Sequence, residues 1–137
     1  MNDKPGVLFL CVHNAGRSQM ALGWLRHLGG HDVAGYSAGS EPADQINAIA
    51  VQAMAEMGID ITAELPKRWT EDLLRSVAVV VLMGCGDSCP VYPGKRYVEW
   101  TLEDPAGADI DTVRRIRDDV RDRVLGLLEE LGAPTDS

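Results

Sequence analysis

Apolar residues fall along this chain in two rhythms: short unbroken runs, and longer stretches spaced by three and four. "GVLFLC" (Gly6–Cys11) is a fully apolar run, the signature of a strand buried on both faces of a parallel sheet. A helix is predicted over about Ser18–Leu28, with Ala21, Trp24, Leu25 and Leu28 on one face and Gly29-Gly30 as its stop. "HDVAGYSAGS" (His31–Ser40) reads as a second strand closing in a glycine turn. A further helix is predicted near Asp44–Met57, burying Ile46, Ile49, Ala50, Ala53, Met54 and Met57 and stopping at Gly58. After a loop with Pro66, a brief helix is expected around Thr70–Leu74. "VAVVVLM" (Val77–Met83) is the clearest central strand and "KRYVEW" (Lys95–Trp100) a weaker last one. The closing helix, Asp111 to Leu131, carries Val113, Ile116, Val120, Val124, Leu127 and Leu131 at helical spacing, its other face a solvated mixture of Arg and Asp.

Strands alternating with helices imply right-handed crossovers and a parallel sheet covered on both sides. The expected fold is α/β: a three-layer sandwich with a four-stranded parallel sheet and helices on both faces. Ligands in such sheets bind beyond the carboxyl ends of the strands, near a topological switch point. Cys11 and the Gly84–Pro90 loop both follow strand ends, which places them on one edge.

A chain of 137 residues is one domain, residues 1–137, with a core of its own. Its net charge of −8 argues against a broad nucleic-acid or acidic-membrane surface, which needs surplus Lys and Arg. Any anion site must therefore rely on focused dipoles and one or two arginines. The longest apolar run falls far short of the roughly 20 residues a membrane helix requires. The N-terminal "MNDKPG" lacks both a basic segment and an apolar signal region, so a cytoplasmic location is expected. Three cysteines, an odd number in a reducing compartment, point to chemistry before a disulfide framework.

The first of them opens the segment "CVHNAGRS", Cys11 to Ser18. Such a segment can curl so that successive backbone N–H groups converge on one centre. Asn14 tolerates left-handed dihedrals and Gly16 accepts them freely. The helix beginning near Arg17 adds its positive end, and the planar fork of Arg17 grips a tetrahedral oxyanion. Cys11 sits at the base of that cradle, where these dipoles favour the thiolate and where Ser18 is placed to donate to its sulfur. The oxyanion-binding residues are thus Val12, His13, Asn14, Ala15, Gly16, Arg17 and Ser18. His13 would reinforce the thiolate if protonated; the plainer expectation is that it faces solvent. Taken without its setting, C-x5-R is equally a buried strand-end cysteine and a surface arginine. The strand before it, the helix after it and the intervening Asn, Gly and Ser favour the cradle.

Cys85 and Cys89 follow the central strand in "MGCGDSCP". On a helical turn their α-carbons lie roughly 6 Å apart, within disulfide range. Zinc is the alternative, but it wants four ligands, and His13, His27 and His31 are scattered. No bound metal is expected, and two idle thiols remain an open reading. Asp104, in "LEDPAG", is by itself an ordinary turn residue.

Taken together, "CVHNAGRSQMALGWL", "YSAGS", "MGIDIT", "MGCGDSCP" and "DPAG" resemble the arsenate reductases built on the low-molecular-weight tyrosine phosphatase fold, over about Val7 to Leu131. The resemblance implies that Cys11 attacks arsenic and that Asp104, on a loop closing over the site, protonates the departing oxygen. It further implies that Cys85 and Cys89 carry the oxidation outward to thioredoxin. No bound cofactor is needed; an external thiol reductant is. Phosphate and sulfate would compete with arsenate for the cradle.

The pattern also departs from the family. Thioredoxin-coupled members usually have a cysteine before the loop arginine, where this chain has Gly16, and their redox pair is further apart. Some hold potassium with an acid in "QMAEGW"; here "QMALGW" places Leu22, so no potassium is expected. "MGCGDSCP" is also similar to reductases served by mycothiol and a mycoredoxin, which would make the enzyme an arsenate–mycothiol transferase and leave Cys85 and Cys89 as spectators. Two rivals complete the set. One is a low-molecular-weight protein tyrosine phosphatase, though Ala106 and Gly107 stand where phosphatases carry aromatics. The other is a non-catalytic module sensing oxyanions or oxidants through Cys11.

Overall fold

The structure, a computed structural model, describes residues 5–29, 32–84, 96–103 and 105–132. Its strands are β1 (Gly6–Cys11), β2 (Ala34–Gly39), β3 (Val79–Leu82) and β4 (Arg96–Glu99). Its helices are α1 (Arg17–Gly29), α2 (Ala48–Ala55), α3 (Glu71–Ser76) and α4 (Ile110–Glu130). The four strands form one sheet in the order β2-β1-β3-β4, every pair parallel. The expected α/β sandwich is therefore observed.

Strand β1 is buried at all six positions because it runs through the middle of the sheet with a packed layer on each side. Side-chain alternation divides it. Val7, Phe9 and Cys11 join the core under α1, α2 and α4, while Leu8 and Leu10 join the core under α3 with Leu74, Val77 and Val80. Phe9 packs a tilted ring against Trp100, centroids 5.8 Å apart. The strand order reverses between β1 and β3, so the crevice expected of such a sheet opens at their carboxyl ends. Cys11 is the last residue of β1.

Two sequence expectations need correcting. Helix α2 begins at Ala48, where Asp44 was expected, because Asn47 caps it: its side-chain oxygen accepts the N–H groups of Ile49 (2.8 Å) and Ala50 (3.1 Å). The helix ends at Ala55, leaving Met57 exposed in the turn that follows. The polar face of α4 is also less solvated than its composition suggests. Arg117 is buried, donating to the Ala53 carbonyl at 2.9 Å and to the Glu56 carboxylate at 2.8 Å. It thereby satisfies the carboxyl end of α2, which carries no basic residue of its own there. Among the described residues, no helix is long and apolar enough to cross a membrane.

Candidate active site

The loop between β1 and α1 is shaped from beneath by Asn14, the only described non-glycine residue with a left-handed backbone (φ 50°). Asn14 is fully buried and its side chain is used at both ends. Its carbonyl oxygen accepts the Lys67 backbone N–H at 3.0 Å, which fixes the amide's orientation, and its Nδ2 then donates to Ser18 Oγ at 2.8 Å. Since that nitrogen can only donate, the Ser18 oxygen is the acceptor, and its own hydrogen is free to point at Cys11 Sγ, 2.9 Å away. The Asn14 backbone N–H donates to the same sulfur at 3.2 Å. Gln19, also buried, holds the loop from the helix side by donating to the Asn14 backbone carbonyl at 3.0 Å. With Cys11 as a thiolate, the sulfur receives two converging hydrogen bonds.

Around it lies a pocket lined by Cys11, His13, Ala15, Gly16, Arg17, Asn47, Pro105 and Ala106. Arg17 starts α1 and is almost wholly buried. No acidic side chain occupies the first turn of α1, so nothing on the helix itself competes for its positive end. His13 is exposed at the rim, its Nδ1 donating to the Glu41 carbonyl at 3.1 Å. Val12 is half-buried and sends its side chain to the core under α3, while its carbonyl accepts the Glu41 N–H at 2.8 Å. The cradle is braced by the segments that follow β2, because Ser40, Ala43 and Asn47 donate backbone N–H groups to the carbonyls of Cys11, His13 and Ala15. Leu22 is buried in the core.

Cys85, Cys89 and Asp104 lie outside the described residues, but their neighbours in the chain do not. Gly84 has a positive φ of 89°, and a side chain there would run into the Arg17 guanidinium. Pro105 is buried against Gly16, where a Cβ would stand 2.5 Å from the proline ring. Sequence reading missed Asn47 and the Pro105 contact. A capping asparagine before "AIAVQAMA" was a signal for the first; nothing local announced the second.

The family described as low molecular weight phosphotyrosine protein phosphatase matches residues 6–136. An arsenate reductase of Halalkalibacterium halodurans is 39% identical over 132 residues, covering 89% of this chain and 94% of its own. A solved thioredoxin-dependent arsenate reductase of Corynebacterium glutamicum superimposes with a TM-score of 0.85 at 41% identity. That alignment covers 96% of this chain and 63% of the longer Corynebacterium protein. A solved arsenate reductase in its phosphate-binding state superimposes with a TM-score of 0.82 at 30% identity, over 93% of this chain and 98% of that one.

Proposed function

This chain belongs to the low molecular weight phosphotyrosine protein phosphatase family, and within that family we propose that it is an arsenate reductase. The carrying observation is the Cys11 sulfur, held by Asn14 and Ser18 in a pocket that Arg17 and the start of α1 make attractive to an oxyanion. The arsenate reductases matched at 39% and 41% identity support arsenate as that oxyanion. The small residues Ala106 and Gly107 after Pro105 offer no ring to hold a phenol, which weighs against an aryl phosphate substrate.

In the proposed reaction the Cys11 thiolate attacks arsenic, and Asp104 protonates the hydroxyl that leaves as water. The developing negative charge on the oxygens is met by the loop N–H groups and Arg17. The Cys85 thiolate then attacks the Cys11 sulfur. The S–As bond breaks with its electron pair passing to arsenic, so As(V) becomes As(III) and a Cys11–Cys85 disulfide remains. Cys89 attacks Cys85, releasing Cys11 as a thiolate and leaving a Cys85–Cys89 disulfide for an external dithiol. The Corynebacterium relative favours thioredoxin as that dithiol. Sulfur carries both electrons, so no resident cofactor takes part. The test is arsenite production from arsenate with thioredoxin and its reductase, set against mycothiol with a mycoredoxin. Turnover with thioredoxin supports the internal relay; turnover with mycothiol alone makes the chain a transferase; turnover with neither refutes the assignment.

A further inference from the structure

The pocket has a second wall built from a distant part of the chain. Pro105 begins a tight turn closed by the Ala108 N–H donating to its carbonyl at 3.0 Å, with Gly107 at a positive φ of 72°. The turn is held against the Cys11–Arg17 loop once directly and once through Asn47. Its proline ring lies on the bare α-carbon of Gly16. Its Pro105 carbonyl also accepts Asn47 Nδ2 at 3.4 Å. Asn47 in turn donates its backbone N–H to the Ala15 carbonyl at 2.8 Å, while its side-chain oxygen caps α2. One residue therefore ties the oxyanion loop, the amino end of α2 and the Pro105 turn together at the pocket.

We propose that Asn47 is a positioning residue for this site: it fixes on Gly16 the turn beginning at Pro105, which in sequence directly follows Asp104, the acid of the proposed reaction. The inference rests on the arsenate reductase reading and deepens it. The geometry explains why position 16 carries no side chain: an added methyl would displace the proline. It also separates two jobs within one asparagine. The cap and the Ala15 contact need only the side-chain oxygen and the backbone N–H; the Pro105 contact needs Nδ2.

Asn47→Ser separates these jobs, because serine caps a helix as well as asparagine does and lacks the reaching donor. The variant is expected to melt with the wild type. Its single-turnover rate of arsenite formation is expected to fall about 10-fold or more, the arsenate concentration for half-saturation staying within about 2-fold. Gly16→Ala attacks the same contact from the other side and is expected to lower the same single-turnover rate. In an Asp104→Asn background, Asn47→Ser is expected to add no further loss, since the group it positions is already gone. An active wild type matched by Asn47→Ser, a loss that appears only in half-saturation, or full additivity with Asp104→Asn overturns this inference alone. A wild-type protein that makes no arsenite with either reductant overturns the reading of the reaction and this inference with it.

Discussion

Ser18 Oγ stands 2.9 Å from Cys11 Sγ and is itself supplied with a hydrogen bond by Asn14 Nδ2, so its proton is available to a Cys11 thiolate. A hydrogen bond to a charged group contributes about 1.5–3 kcal/mol. Ser18→Ala is therefore expected to slow arsenite formation by about 10-fold or more while leaving the fold intact. The measurement is a single-turnover time course. A rate equal to wild type would mean that the hydroxyl orients nothing.

Asn14 does structural work that a smaller residue cannot. Alanine in its place would keep the left-handed backbone at a cost, orphan the Lys67 N–H and strip the Ser18 oxygen of its donor. Urea denaturation is expected to show Asn14→Ala destabilised by about 2–4 kcal/mol. Asn14→Gly, relieved of the dihedral strain, should be less destabilised by roughly 1 kcal/mol. Equal losses would place the whole effect in the hydrogen bonds.

The ion cluster between α2 and α4 gives stability a pH signature. The Arg114 guanidinium, joined by Arg117, holds the Glu56 carboxyl down from 4.5 to about 2 in the folded protein, against an opposing effect of burial. A carboxyl whose folded value is depressed stabilises the fold above its unfolded value, and that contribution is lost as pH falls through the folded one. The melting-temperature advantage of wild type over Glu56→Gln should be full above pH 4.5, shrink toward pH 2 and vanish below it. Because Glu56 is solvent-accessible, salt should also reduce it. An advantage that grows as pH falls would contradict this origin.

The two remaining thiols are separated by their expected products. With thioredoxin as reductant, Cys89→Ser should complete one turnover and stall as a Cys11–Cys85 disulfide visible by mass mapping. Cys85→Ser should stall earlier, at the Cys11–arsenic adduct, with no arsenite released. Unimpaired turnover in both variants would rule out the internal relay.

Much of this architecture is legible from local pattern. The apolar run of β1, the helical spacing of Val113, Ile116, Val120 and Val124, and the segment from Cys11 to Ser18 each carry their own signal, because periodicity and loop chemistry are short-range. What escaped is long-range. Arg117 reads as a solvated arginine until α2 ends beside it. Gly16 reads as a flexible loop residue until Pro105, from a distant part of the chain, is found lying on it. Asn47 shows its cap in sequence but not its reach to Pro105. Such contacts are set by which strand ends share an edge, and no window of neighbouring residues contains them.

The most direct test of the central claim is the alkylation of Cys11 by iodoacetamide, followed by peptide mass spectrometry with and without arsenate or phosphate. If the sulfur sits at the floor of an oxyanion cradle, either anion should protect Cys11 in a concentration-dependent manner, and Arg17→Ala should abolish the protection. Alkylation of Cys11 at the same rate whether or not a saturating oxyanion is present would contradict the account.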